Sequence, residues 1–178
     1  LRTLARRAAE HSFMSLRSHP LQQGLRGEVC PPGDKSISHR SVMFGSIAQG
    51  ETLVHDWLDA ADTRATLNAC RALGAQIEDS KDAKGATQLR IQGRGVAGLS
   101  SSDEALDLGN SGTGVRLLMG LLAGLPLNST LTGDHSLSSR PMGRVIRPLI
   151  SMGAKIEADS ERLPLSLIHI SEPTRRSD

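Results

Sequence analysis

The sequence predicts an α/β fold made of two similar helix-and-sheet units. Residues 74–78, Gly-Ala-Gln-Ile-Glu, return at 153–157 as Gly-Ala-Lys-Ile-Glu, and each copy follows a helical stretch. Shorter matches occur in the same order along the chain: Thr52-Leu53 with Thr130-Leu131, and Arg40 and Met43 with Arg116 and Met119. Matches that keep one order and nearly one spacing indicate a duplicated unit with small changes in its loops.

Each unit is predicted to begin with a buried helix, at 37–48 in the first copy and 113–123 in the second. A polar, glycine-containing loop precedes each helix. Apolar residues lie on nearly every side, which is typical of a helix enclosed by other elements. A short run with high β-propensity follows in each copy, at 52–54 and 130–132, and predicts a strand.

A second helix is predicted at 62–73 and again at 141–152. In the second copy Pro141 falls in the first turn, where a missing NH group costs nothing. Gly74 and Gly153 are placed to end these helices. A strand is predicted after each of these helices, at 76–78 and 155–157. The alternating run 88–91, between the two units, predicts another strand.

The repeat is confined to residues 25–165, which we predict to be a partial domain of two units. The arginine-rich residues 1–24 are expected to be disordered or an upstream extension, with Met14 as the true start. Residues 166–178 lose the apolar periodicity and have no partner in the repeat. We therefore expect a foreign or artefactual tail there.

The composition argues against nucleic-acid and membrane partners. The formal net charge is +2 over 178 residues, and two Phe, one Trp and no Tyr leave little for base stacking. No stretch approaches the roughly 20 apolar residues that a membrane span needs. Cys30 and Cys70 show no metal-ligand spacing, so they indicate a reducing compartment and a cytoplasmic protein.

The segment 32–40, Pro-Gly-Asp-Lys-Ser-Ile-Ser-His-Arg, is typical of a phosphate site at the start of a helix. The first NH groups of a helix have no internal partner and carry partial positive charge, so an anion there satisfies both. Ser36 is predicted to be the N-cap and adds a hydroxyl, while Lys35 and Arg40 add full charges. Because Ser36 and Arg40 are four residues apart, they project from the same side of the helix.

The second unit carries a matching loop at 108–116, Leu-Gly-Asn-Ser-Gly-Thr-Gly-Val-Arg. Its glycines let backbone NH groups approach an anion closely, and Asn110 and Thr113 can cap or donate. Alone, the glycines would favour a tight strand-to-helix turn, but the correspondence with the first unit favours a second anion. Arg140, before the second helix of this unit, is suited to bidentate binding of a carboxylate or phosphate.

Three other patterns are interpreted as structural. The run 93–98 fits G-x-G-x-x-G, but a polar turn follows where a dinucleotide site needs a long helix. Asp59 and Asp62 are predicted to cap the helix that begins near Thr63 rather than to bind a metal. His39 faces away from the cations of its motif, so no chemistry is assigned to it.

Three segments together closely resemble the 5-enolpyruvylshikimate-3-phosphate synthase family: 32–40, 109–113 and 133–142. The resemblance runs from about residue 25 to residue 165. It implies a monomeric two-domain enzyme with three copies of the unit in each domain and the substrates in the cleft between them. Such enzymes transfer the enolpyruvyl group of phosphoenolpyruvate to the 5-hydroxyl of shikimate 3-phosphate and release phosphate, on the route to chorismate and aromatic amino acids, without metal or cofactor.

The resemblance also implies roles for individual residues. Those that would bind shikimate 3-phosphate are Lys35, Ser36 and Arg40. Those that would bind phosphoenolpyruvate are Lys35, Asn110, Gly112 and Arg140. Lys35 is the catalytic candidate. Gly112 stands where glyphosate-insensitive members carry Ala, which implies that glyphosate inhibits the intact enzyme.

Other functions stay open at this point. Family members continue for more than this length again and there supply further substrate contacts and the proton-transfer groups, so we expect the 178-residue chain by itself to be inactive. A stand-alone phosphate-binding module is the alternative from another class. The UDP-N-acetylglucosamine enolpyruvyl transferases share the fold but lack the Lys-Ser-x-Ser-x-Arg signature, which makes them the weaker match.

Overall fold

The chain folds as two units of the same topology, which confirms the predicted duplication and the α/β class. The structure, a computed structural model, describes residues 26–29 and 31–169. The first element that it describes begins at Lys35. The predicted extension at 1–24, the proposed start Met14 and Cys30 lie outside the described residues.

The first unit contains two helices and a three-stranded antiparallel sheet. Its elements are α1 (Lys35–Ile47), β1 (Gln49–Trp57), α2 (Ala61–Ala72), β2 (Gln76–Lys81) and β3 (Thr87–Arg94). Strand β3 lies between β1 and β2 and pairs antiparallel with both. The sheet order β1-β3-β2 therefore places the last strand of the unit at its centre.

The second unit repeats this arrangement with two additions. Its elements are β4 (Leu106–Asp107), α3 (Gly112–Ala123), β5 (Ser129–Thr132), α4 (His135–Ser138), α5 (Gly143–Ser151), β6 (Lys155–Ala158) and β7 (Leu165–Ile168). Strand β7 lies between β5 and β6, as β3 does between β1 and β2. The additions are the short helix α4 and strand β4, which pairs parallel with β5 at the sheet edge.

Strand β3 shows how the helices pack on the sheets. Its residues alternate, with Thr87, Leu89, Ile91 and Gly93 buried and the exposed side chains between them facing outward. A Cβ on Gly93 would overlap the carbonyl oxygen of Gly45 in α1. The missing side chains of Gly45 and Gly93 at this crossing let α1 approach the sheet closely, so Gly93 serves packing. After β3 the chain makes only a short 3-10 turn, as predicted.

The first helices of the two units differ in burial. Helix α3 contributes Val115, Leu118 and Met119 to the core with no exposed surface. Helix α1 is buried along one face only, because Ile37 and Phe44 are 60% and 57% exposed. The expectation that apolar residues on every side enclose the helix therefore holds for α3 and only partly for α1.

The second helix of the second unit begins later than predicted. Helix α5 starts at Gly143, and Pro141 lies before it rather than in its first turn. The backbone NH of Met142 donates to the carbonyl of Glu161 at 2.9 Å, which fixes the chain just ahead of the helix. The helix-ending glycines are confirmed: Gly74 and Gly153 have φ of +93° and +100°.

The described sheet extends into the segment predicted to be a foreign tail. Residues 166–168 belong to β7 and pair with β5 and β6. Residues 170–178 lie outside the described part of the chain. Among the helices of the described ranges, none has the length and apolar character required to cross a membrane.

Candidate functional site

The N-terminal turns of α1, α2 and α3 lie side by side. Lys35 in the first turn of α1 forms an ion pair with Asp62 of α2, with 2.7 Å between Nζ and Oδ2. One turn later, His39 Nδ1 lies 2.8 Å from Thr66 Oγ1. Both pairs join residues with the same separation along the chain, so α1 and α2 run parallel and in register.

Helix α3 joins this pair at the same level. A Cβ on Gly114 in its first turn would lie 2.6 Å from Thr66 Oγ1 and 3.3 Å from His39 Cε1. The first turn of α3 therefore lies beside the N-terminal turns of α1 and α2. Because each end carries partial positive charge and unpaired NH groups, the three together favour anions.

The first turn of α1 presents the cations of the opening motif. The N-cap is Asp34, whose Oδ1 accepts a hydrogen bond from the Ile37 NH at 2.7 Å, so the prediction of Ser36 as the cap is wrong. Asp34 is the cap instead of Ser36 because its carboxylate reaches the third NH of the helix and is favoured by the helix dipole. Ser36 instead lies in the first turn, where its hydroxyl has no hydrogen-bond partner within residues 31–169.

Lys35 and Arg40 differ in their surroundings. Lys35 is held by Asp62, although half of its side chain remains exposed. Arg40 is exposed and makes no ion pair with any described residue. A phosphate at this turn would meet Arg40 directly, whereas Lys35 would have to share its charge with Asp62.

The start of α3 is a tight turn with a side-chain cap. Gly109 has φ of +53°, a left-handed conformation that favours glycine. Ser111 is the N-cap and accepts a hydrogen bond from the Gly114 NH at 3.1 Å. The sequence proposed a tight turn or an anion loop here, and the turn is present: the Gly112 NH donates to the Asn110 carbonyl at 2.9 Å.

Two guanidinium groups meet at Gly112. A Cβ on this residue would lie 2.9 Å from Arg140 Nη1 and 3.1 Å from Arg116 Nη1. Arg116 also donates to the Gly112 carbonyl at 2.9 Å. The bare Cα of Gly112 therefore makes room for both cations at the positive end of α3.

Arg140 is held in place by a short series of polar contacts. Its Nη2 donates to Asn110 Oδ1 and to Ser136 Oγ. Asn110 in turn donates through Nδ2 to Asp134 Oδ2 at 2.8 Å. Asp134 caps α4, accepting from the Leu137 NH, and this backbone bond and Asn110 hold the pKa of its carboxyl below the usual value. The cluster stays ionised and orients Arg140 toward the start of α3.

The structure therefore brings the second predicted set, Asn110, Gly112 and Arg140, into one cluster, and leaves Lys35, Ser36 and Arg40 along the first turns of α1. The sequence reasoning missed Asp134 as the residue that fixes Asn110. A signal was present, because Gly133-Asp134 repeats the Gly33-Asp34 that caps α1. It also missed Asp62 as the partner of Lys35, for which the linear spacing gives no sign.

The prediction that Asp59 and Asp62 cap α2 is wrong. The N-cap is Ala60, and the Thr63 hydroxyl accepts from the Ala60 NH and donates to the Leu58 carbonyl. Thr63 can satisfy this turn from inside the helix, which leaves both carboxylates for cations. Asp59 binds Arg64 and Lys81, and these contacts hold the pKa of its carboxyl well below the usual range.

Neither metal ligands nor a reactive thiol are found near this site in the described ranges. No group of three or more His, Cys, Asp or Glu side chains there is arranged to hold a metal ion. Burial raises the pKa of Cys70 to about 12, so its thiol stays protonated at neutral pH.

The chain is similar in sequence to known proteins of one kind. The family model of EPSP synthase (3-phosphoshikimate 1-carboxyvinyltransferase) matches residues 21–175. The 3-phosphoshikimate 1-carboxyvinyltransferase of Lactococcus lactis subsp. cremoris is 52% identical over 147 residues, covering 82% of this chain and 33% of that protein. The protein of the same name from Magnetococcus marinus is 49% identical over 162 residues, covering 90% and 35%.

A solved structure gives the same result for the fold. EPSP synthase from Acinetobacter baumannii superposes with a TM-score of 0.73 at 46% identity, covering 80% of this chain and 32% of that one. The chain thus spans about a third of the length of the relatives that it matches.

Proposed function

Because this chain belongs to the EPSP synthase family, we propose that it is one part of an enzyme that transfers the enolpyruvyl group of phosphoenolpyruvate to the 5-hydroxyl of shikimate 3-phosphate. The longer protein is called the parent enzyme below. The observation that supports this function best is the meeting of the first turns of α1, α2 and α3, with Lys35 on α1, Arg116 on α3 and Arg140 beside the start of α3. Two phosphorylated substrates repel each other, and such a surface offsets that repulsion.

The two substrates are assigned to different helices. Shikimate 3-phosphate lies at the start of α1, where Ser36, Arg40 and the amine of Lys35 bind its phosphate. Phosphoenolpyruvate lies at the start of α3, bound at Asn110, Gly112 and Arg140. Lys35 lies on α1, next to α2 and α3, and its amine interacts with both anions. It is therefore the catalytic candidate among the residues of this chain.

The reaction needs the two anions held together while protons move. A proton adds to the methylene carbon of phosphoenolpyruvate, and the 5-oxygen of shikimate 3-phosphate attacks the resulting cation-like carbon and loses its own proton. The tetrahedral intermediate then loses phosphate and a methyl proton, which restores the alkene. The residues of this chain contribute binding and orientation, which can supply a large part of such a rate enhancement, and stabilise the departing phosphate.

The further properties proposed for the parent enzyme are those of its family: inhibition by glyphosate, action as a monomer in the cytoplasm, and no cofactor. The buried free thiol of Cys70 fits a reducing compartment. The family match favours shikimate 3-phosphate over UDP-N-acetylglucosamine as acceptor and favours catalysis over simple phosphate capture.

An acceptor-exchange assay on the parent enzyme tests this function. Phosphate release from phosphoenolpyruvate is expected with shikimate 3-phosphate and not with UDP-N-acetylglucosamine. Arg140→Ala is expected to lower kcat/KM for phosphoenolpyruvate by about a hundredfold, because a charge-assisted, oriented contact is lost. Arg144→Ala, an exposed arginine one turn further on, is the matched control. Release that requires UDP-N-acetylglucosamine, or no release with either acceptor, would exclude the proposed function.

A further inference from the structure

A buried polar joint lies where α1, α2 and α3 meet. The side chain of His39 has no exposed surface, and its Nδ1 lies 2.8 Å from Thr66 Oγ1. Thr66 and Ser111 are also fully buried. A Cβ on Gly114 would lie 2.6 Å from both of their hydroxyl oxygens and 3.3 Å from the imidazole. One point in the core is therefore surrounded by polar groups from three helices.

Hydrophobic packing alone does not account for this joint. His39 Nε2 is buried without a hydrogen-bond partner in the described part of the chain. A buried polar atom without a partner costs free energy, and an apolar side chain of similar volume would avoid that cost. The neighbouring core positions Val42 and Met43 on the same helix are apolar. An apolar side chain at position 39 could not make the directional contact that His39 makes with Thr66.

The joint lies directly beneath the candidate site. His39 is one helical turn from Lys35 and adjacent to Arg40, and Gly114 is two residues from Gly112. We propose that His39 is a positioning residue, whose imidazole fixes the first turn of α1 against those of α2 and α3 and so sets the spacing between the two anion sites. The role in spacing two substrates rests on the proposed function, whereas the joint itself does not.

Gly114 is the counterpart of His39 on α3. With Thr66 Oγ1 of α2 at 2.6 Å and His39 Cε1 of α1 at 3.3 Å from any Cβ, a side chain here would push α3 away from α2 and α1. Gly120 lies on the same helix, where a Cβ would have nothing within 4 Å. Ala at either position has the same helix propensity, so the pair separates the effect of the joint from that of the backbone.

The imidazole acts in its neutral form. The charged groups that bear on it are Asp62 and Lys35, which lie one turn above it on α2 and α1 and form an ion pair with each other. Burial is the largest influence and lowers the pKa of His39. A non-titrating amide of similar reach, as in His39→Asn, can therefore replace its contact with Thr66.

Steady-state kinetics of the parent enzyme test the proposal. His39→Leu, Thr66→Val and Gly114→Ala are each expected to raise KM for both substrates by about tenfold, because small displacements of binding groups have large effects. His39→Asn is expected to restore KM to within about threefold of wild type, and Gly120→Ala to leave it unchanged. Thr66→Val removes only a hydroxyl, so it tests the contact even where His39→Leu does not fold.

A purely structural role would give a different pattern. In that case the variants would lower the melting temperature while KM, measured well below it, stayed within twofold of wild type, and the proposal would be overturned. His39→Asn behaving like His39→Leu would overturn it as well. If wild-type parent enzyme shows no enolpyruvyl transfer, the proposed function fails instead. The joint is then tested on the 178-residue chain by 15N NMR, where Thr66→Val must shift the His39 ring resonances and Gly120→Ala must not.

Discussion

At the scale of single residues, Gly112 determines how two guanidinium groups reach the start of α3. A methyl group there would lie about 3 Å from nitrogen atoms of both Arg140 and Arg116, which is closer than ordinary contact. In the parent enzyme, Gly112→Ala is expected to raise the inhibition constant of glyphosate by at least about tenfold and KM for phosphoenolpyruvate by less, because a methyl group here reduces the space in which the two ligands are discriminated.

The comparison that isolates this contact is Gly120→Ala on the same helix, for which both constants should match wild type. Inhibition and phosphoenolpyruvate binding are measured together by varying both ligands in one kinetic series. An unchanged inhibition constant in Gly112→Ala would show that the space at Gly112 does not discriminate between the two molecules.

His39 gives the chain a stability that depends on pH. Because burial lowers its pKa in the folded state, the unfolded chain takes up a proton near pH 6.5 that the folded chain does not. The free energy of unfolding is therefore unaffected by this group above pH 6.5 and falls as the pH decreases below it. The slope can approach about 1.4 kcal/mol per pH unit.

Urea unfolding of the 178-residue chain between pH 7.5 and pH 5 measures this slope, above the range in which aspartates titrate. The variant His39→Asn cannot take up the proton and is expected to show a flatter dependence. Equal slopes in the two proteins would mean that the folded state accommodates a charged imidazole.

At the scale of elements, the ion pair of Lys35 with Asp62 joins α1 to α2 and also limits the charge offered to an anion. Removing the carboxylate in Asp62→Asn is expected to strengthen binding of phosphoenolpyruvate to the 178-residue chain about two- to fivefold, the range expected for a partly exposed pair. Glu51→Gln is the control, since it removes one carboxylate from an ion pair with Arg90 on the first sheet. Calorimetric titration in low salt measures both, and weaker binding in Asp62→Asn would show that Asp62 instead holds Lys35 in its productive position.

The repeat made the order of elements predictable, because a pattern such as Gly74 and Gly153 marks the same helix end twice. Sequence reasoning failed where local alternatives compete. Asp34, Ser36, Asp59 and Thr63 are all good capping residues, and only the fold determines which one reaches a free NH group.

The contacts within the candidate site were predictable only in part. The residues Asn110 and Arg140 follow from motif and resemblance, but their contact with each other depends on how the loop before α3 meets the end of β5. The buried joint at His39 was missed because the residue was judged by its own helix. Its partners come from two other helices, and nothing in the spacing along the chain indicates them.

At the scale of the whole molecule, the first turns of three adjacent helices present one surface for anions, and apolar side chains lie uncovered beside it. Ile37 and Phe44 are well over half exposed on the face of α1 that also carries Arg40. Exposed apolar groups next to a charged site fit a surface that another part of the parent enzyme covers. Substrates bound here would then be enclosed from both sides, as exclusion of water from the reaction requires.

The 178-residue chain alone is therefore expected to bind phosphoenolpyruvate without transferring its enolpyruvyl group. The cations at α1 and α3 provide attraction, but a substrate held from one side keeps its contact with water, and affinity is expected to be about a thousandfold below that of the parent enzyme, equivalent to about 4 kcal/mol. Calorimetry and a phosphate-release assay on the purified chain measure the two properties, with Arg140→Ala as the variant that must weaken binding. Turnover by the chain alone would contradict this expectation and would show that the groups needed for proton transfer lie within these two units.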